Sequence, residues 1–420
     1  MSELRNKSRR SKTIVIASAV LMVSGLVLAK PTVLRYRLRQ ARQAIVDRNP
    51  ELAIQRLQII QQSYGNNAEA SFLMARAHRH REAYDQVIKE LKEARGLGYA
   101  EDKLKREQLL TAAESGKIAL DDPELQDLLA NPGNDDREIY EALVKGYYRL
   151  YELGPASLVL DVWQQSYPQD AQPLLYQGLL REHEENWVDA AQWLRQAVSL
   201  APERPDLRRH LAKAEQKQHN YRQAVHHYRV ALQQREEVES LLGLGTCLKA
   251  RGEIENAREA FSRGLALSHD HYGCFLALGE LDVEAGKGAD ALRWLEPAAQ
   301  LKPREYDARY GLAKALLFAG RDTEARPHFQ FAASARQELS RVKAYREYVA
   351  SHPEDTDMRY EIGKGLAQYG EPREALQWLN SVLKYAPDHQ FAHELLAELY
   401  AGQGNESAAA RHRAHSRRDR

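Results

Sequence analysis

The chain has 420 residues with 43% hydrophobic and 28% charged side chains, and it carries 24 glycines and 15 prolines, fewer turn-makers than a β-rich or collagen-like protein uses. Sixty basic residues against fifty-nine acidic ones give a net charge of +1, too little to draw nucleic acid along the whole chain, while the apolar content excludes intrinsic disorder. Two cysteines, Cys247 and Cys274, exclude a disulfide framework and a Cys-x-x-Cys pair.

The first element in chain order is an apolar run. Residues 1–12 form a basic tail, and Thr13 to Ala29 are seventeen residues without a charge. That run spans about 25 Å as a helix, short of a ~30 Å hydrocarbon core. It reaches full length if Lys30 snorkels and the helix runs on to Leu34. Residues 13–34 are therefore expected to be a transmembrane helix or signal anchor in the lipid bilayer. The protein is then single-pass, with its carboxy-terminal region extracytoplasmic. A cleaved signal peptide is the alternative, with Val27-x-Ala29 as the cleavage site and a soluble secreted or periplasmic product.

From Leu34 onward the chain repeats itself. Small or apolar residues pair twelve apart: Gly178 with Ala190, Ala212 with Ala224, Gly245 with Ala257, Gly279 with Ala291, Ala313 with Ala325, Gly363 with Ala375, and Ala397 with Ala409. From Gly178 to Ala313 the steps are 34, 33, 34 and 34 residues, and the frame extends back to Ala41 and Ala75. Within one unit, Leu174, Gln177, Gly178 and Arg181 share a helical stripe, and Ala190, Leu194 and Ala197 share a second. Each unit is therefore two helices packed on one another. Pro202, Pro303 and Pro387 stand where second helices must stop, and Gly252, Gly320, Gly370 and Gly404 stand in the turns. A Trp recurs in Ala190–Leu194, Ala291–Leu295 and Ala375–Leu379, where it is expected to pack between repeats.

The period, the small residues at repeat positions 8 and 20, the apolar residue at 24 and the proline at 32 resemble the tetratricopeptide repeat over most of residues 34–410. The expected fold is all-α: an α-solenoid of antiparallel helix pairs in a superhelix, preceded by one transmembrane helix. Two repeats are expected over 34–101, a degenerate helical pair over 102–136 and five repeats over 137–334. An extra helix is expected over 335–355, terminal repeats over 356–410 and a basic tail over 411–420.

Chemistry-bearing motifs fall short. His393-Glu-Leu-Leu-Ala397 lacks the second histidine of a zinc protease motif. Gly243-Leu-Gly245 lacks the third glycine and the preceding strand of a dinucleotide fingerprint, and Gly288 replaces the Ser or Thr that a phosphate-binding loop needs. His269, His271 and Cys274 are the best metal candidate, which a solvated turn beside a buried cysteine explains more simply. No catalytic residue, cofactor site or metal site is assigned, and the chain is not expected to be an enzyme.

The resemblance implies a concave groove lined by first helices that takes protein or peptide partners. Mapped onto this sequence, the lining comprises Arg76, Arg79, Arg209, Lys213, Lys249, Lys314 and Lys364, the acids Glu280, Glu394 and Glu398, and the aromatics Tyr310 and Tyr360. The expected role is a membrane-anchored scaffold in the assembly or trafficking of a complex. A nucleic-acid-binding helical repeat is the alternative from another class, disfavoured by the near-zero net charge.

Overall fold

The computed structural model describes residues 31–118, 122–131, 136–150, 152–370 and 372–416. The described residues are helical with no strand, in antiparallel pairs. In the first pairs α1 covers 31–46, α2 Pro50–Tyr64, α3 Ala68–His80, α4 Tyr84–Gly96, α5 Glu101–Glu114 and α6 Pro123–Ala130. Then follow α7 Asp136–Arg149, α8 Leu153–Ser166, α9 Ala171–His183, α10 Trp187–Leu200, α11 Pro205–Lys217 and α12 Tyr221–Gln234. The next are α13 Val238–Ala250, α14 Ile254–Leu267, α15 Tyr272–Glu284, α16 Gly288–Leu301, α17 Tyr306–Phe318 and α18 Asp322–Ser351. The last two pairs are α19 Thr356–Tyr369 with α20 Pro372–Tyr385, and α21 Gln390–Gly402 with α22 Glu406–Ser416. The chain divides into two compact units, residues 1–146 and 147–420.

Side-chain caps begin many of these helices. Asn49, Asn67, Asp170, Asn186 and Asp355 each accept a backbone N–H from the first turn of the helix that follows. Gly252, Gly320 and Gly404 take a positive φ between helices, but Glu185 and His219 do so at equivalent turns, so glycine eases that conformation without being required. Gly370 has φ −128°, an extended conformation open to any residue.

The glycine at repeat position 8 makes room for the residue sixteen positions later. A Cβ on Gly178, Gly279 or Gly363 would lie 2.7, 2.4 or 2.7 Å from the side chain of Leu194, Leu295 or Leu379. On Gly245 it would meet the Phe261 ring at 2.4 Å. The two helices of a pair thus close on a large apolar residue seated over a bare backbone.

The expected single-pass membrane placement is corrected here. Among the described residues no helix is long and apolar enough to cross a membrane. Residues 31–34, the end of the expected span, belong to α1, and Leu34 packs against the first core cluster with Leu38 and Ala41. Residues 1–30, which hold the rest of that span and the basic tail, lie outside the described residues. The transmembrane helix, the bilayer contact and the extracytoplasmic placement all lose their support.

In the segment 137–334, α9 to α18 pack as five successive pairs, preceded by α7 and α8. The segment 335–355 is mainly the distal part of α18, which runs unbroken for 30 residues because nothing after Pro327 interrupts it. Residues Arg411 to Ser416 continue α22, while 417–420 lie outside the described residues.

Candidate interaction surface

Within the second unit the first helices of successive pairs touch one another (α11 with α13, α13 with α15, α15 with α17, α19 with α21), whereas among the described residues second helices make no comparable contact with their successors. A stack bends toward the side on which its members approach, so the first helices form the inner face.

Ion pairs stitch this face across repeats. Lys213 on α11 reaches Glu182 on α9 at 2.7 Å, and His210 lies 3.3 Å from the same carboxylate. Arg209 pairs with Glu237 at 3.0 Å. Lys249 on α13 meets both Glu280 and Glu284 on α15, at 3.1 and 2.8 Å. Burial would raise the Glu182 pKa, but His210 and Lys213 hold it below the ordinary carboxylate value. Lys213, Arg209 and Lys249 are therefore matched, one repeat to the next, by carboxylates, of which the repeat frame had placed only Glu280 on this face.

Farther along, aromatics replace the acids. On α17 Tyr310 stacks on Tyr306 with ring centroids 5.6 Å apart, and Lys314 Nζ lies 5.7 Å from the Tyr310 ring. On α19 the same pattern recurs: Lys364 Nζ lies 5.8 Å from Tyr360, which packs against His389 and Phe391. Lys364 also bonds Glu361 at 3.0 Å. Glu394 and Glu398 stand on α21, one turn apart.

Arg76 and Arg79 belong to the first unit and serve a different purpose. Arg79 is fully buried and donates to Glu107 at 2.5 Å and to Glu114 and Glu138. Arg76 lies 3.2 Å from Glu138. Arg48 donates to Glu141, and Lys145 lies 3.6 Å from both Glu114 and Glu141. Burial would raise the Glu138 pKa, yet His80, Arg79 and Arg76 hold it well below its ordinary value, and Arg48 with Lys145 does the same for Glu141.

His80, Glu138 and Glu141 bring three potential metal-ligand atoms within 4.8 Å of one another, a grouping the sequence gave no sign of. Four cations already match the four carboxylates, so a divalent ion would have to displace a guanidinium, and the cluster is built as an ion-pair network. The candidate His269, His271 and Cys274 does not converge on one point. His271 Nδ1 accepts the Cys274 backbone N–H at 3.3 Å as an N-cap, and the buried Cys274 thiol is pushed up to about 11 by burial.

His393 of the near-miss protease motif is buried in the terminal pair. Its Nε2 lies 2.8 Å from the Pro387 carbonyl oxygen, which places the proton there and turns Nδ1 toward His412 Nδ1 at 2.9 Å. Burial first, then His393, Arg411 and His415, push the His412 pKa down to about 4. The unfolded chain therefore takes up this proton first as pH falls. Support from this contact is full above about pH 6.5 and is lost progressively toward the folded value. Amide exchange in α22, corrected for intrinsic rates, should be faster at pH 5 than at pH 7. His412→Phe, which keeps the stack on Tyr400, should remove the difference. Equal protection of α22 in the parent chain at both values would refute this account.

This geometry defines an all-α helical-repeat scaffold of the tetratricopeptide type. The family model described as tetratricopeptide repeat matches residues 210–270 and 276–338, so the chain carries tetratricopeptide repeats. No curated protein matches the chain. Among solved structures, PilW, described as a widely conserved type IV pilus biogenesis factor, is 18% identical over 47% of this chain and 91% of its own, with a TM-score of 0.44. The human IFIT1 dimer with m7Gppp-AAAA is 16% identical over 87% of this chain and 93% of its own, at 0.45. The Cut9–Hcn1 structure, a hetero-tetramer of the APC/C, is 13% identical over 90% and 79%, at 0.40.

Proposed function

We propose that the chain is a binding scaffold whose inner first-helix face, in the second unit, takes a protein or peptide partner during assembly or trafficking of a complex. It acts by binding and not by turnover. The observation that carries this reading is the repeated tyrosine–lysine pair, Tyr310 with Lys314 and Tyr360 with Lys364, set at the same repeat positions on two first helices. Such amphipathic aromatics are enriched where proteins bind each other. The carboxylates that match Lys213, Arg209 and Lys249 argue against a phosphate backbone as the ligand, because the paired cations sum to little field.

The test is recovery of a partner on the immobilised full chain, followed by identification, purification and titration of that partner. The pair Tyr360→Ala with Lys364→Glu should weaken its binding by roughly tenfold or more. Arg229→Glu on the exposed face of α12, a second helix, should leave it unchanged. A partner equally indifferent to both, or one that is a nucleic acid, overturns the reading.

A further inference from the structure

The repeat frame predicts which face of each first helix is covered by the next, and α17 breaks the rule. Val283 on α15 is 5% exposed in a cluster with Leu312, Ala315 and Leu316 of α17. Its counterpart 34 residues on is Leu317, which is 48% exposed. Leu276, partly buried against the same cluster, corresponds to Tyr310, which is 40% exposed, and next to Leu317 stands Phe318 at 55%. Tyr310, Lys314, Leu317 and Phe318 stand at i, i+4, i+7 and i+8, so they form one stripe along α17.

The cause is the length of α18. From Ala313 to Gly363 the step is 50 residues, sixteen beyond the period, which carries α19 about 24 Å farther along the α18 axis. There α19 packs on the distal half of α18, where a Cβ on Gly365 would meet Val342 at 2.6 Å. Its last turn returns only to the base of α17: Arg304 donates to the Ala367 carbonyl at 3.1 Å, and Tyr369 packs on Phe331. The place a following first helix would occupy against α17 is left open.

We propose that this seat receives an amphipathic helix from an acidic partner, laid against α17 as a following repeat would be. A seat vacated by a helix has the width and groove spacing of one. Charge selects the sign of the partner: Lys213 and Lys249 each meet a carboxylate on a neighbouring first helix, whereas Lys314 makes no ion pair among the described residues. The partner helix therefore presents aliphatic side chains to Leu317, Phe318 and Tyr310 and a carboxylate to Lys314, over about three turns. The inference rests on the scaffold reading and specifies one docking face for it.

The probe is a fluorescent synthetic peptide of about four turns, with leucines on one helical face flanked by glutamates, titrated against the full chain. Leu317→Asp should weaken binding by roughly tenfold or more, since an exposed apolar anchor becomes a like charge. Lys314→Glu should weaken the glutamate peptide and bind a lysine-for-glutamate peptide more tightly than the parent chain does. Both side chains lie outside the core, and unchanged thermal unfolding of the variants confirms that only the surface was altered. No binding, equal affinity in both variants, or loss without dependence on peptide charge overturns the proposal. So does self-association of the parent chain abolished by Leu317→Asp, which makes a second copy the occupant. If the partner recovered on the chain still binds the Leu317→Asp variant while the peptide fails, the scaffold stands and this docking face falls.

Discussion

Arg79→Met is expected to destabilise the first unit by about 3–5 kcal/mol, because a buried charge network loses its centre and not its periphery. The guanidinium is fully buried and serves three carboxylates from two different helices, Glu107 and Glu114 on α5 and Glu138 on α7. Methionine fills much of the same volume, so the loss is electrostatic: three acids keep their burial and lose their common donor. Hydrogen exchange should show the loss of protection concentrated in α3, α5 and α7. Adding Glu114→Gln should restore part of it, since the double variant buries one unpaired charge fewer. A single variant as stable as the parent would mean that the network contributes nothing.

The same network fixes a pH dependence. Glu138 and Glu141 have folded pKa values below their ordinary 4.5, so their contribution is present above that value and is lost as pH falls toward the folded ones. In Arg79→Met the Glu138 pKa moves back up toward its unfolded value, so the pH window narrows and the acid-induced loss from this group should be smaller than in the parent chain. Acid titration of α7 protection in the two chains reads this directly.

The period and the helix pairs were legible because every repeat must solve one packing problem, and the solution leaves small residues twelve apart with a large one four beyond. The residues expected to face a ligand were less legible. Lys213, Arg209 and Lys249 sit on the inner first helices as the frame requires, yet their partners Glu182, Glu237 and Glu280 lie in adjacent repeats. Such pairing depends on the rotation between repeats, which no single-repeat pattern encodes. Arg76 and Arg79 obey the same frame, yet Arg79 is buried and Arg76 half-buried in the first unit, because the irregular pair formed by α5 and the eight-residue α6 leads into α7 with acids that close over them. The sixteen extra residues were visible as a number, but only the continuity of α18 shows that they move α19 instead of adding a helix.

The recurring tryptophans carry a similar lesson and lead to the second large effect. Trp193 and Trp294 are only partly buried, and Trp294 spends its Nε1 donor on Asp282 at 3.0 Å. Trp378 is buried, but among the described residues the largest side chain with no exposure at all is Trp163, which falls outside the repeated motif. It lies on α8 with its Nε1 donating to Asp170 at 3.3 Å, and Asp170 in turn caps α9 by accepting the Gln172 backbone N–H. Trp163→Ala is therefore expected to cost about 3–5 kcal/mol, most of it the cavity and lost transfer energy of the indole. Trp163→Phe refills much of the cavity but leaves Asp170 without its indole donor, so it should recover most of the loss and leave a residue of about 1 kcal/mol. Denaturant titration orders the three chains, and amide exchange should place the weakening in α8 to α10. If alanine and phenylalanine prove equally damaging, the hydrogen bond to the capping aspartate outweighs packing, and the order of these two effects must be reversed.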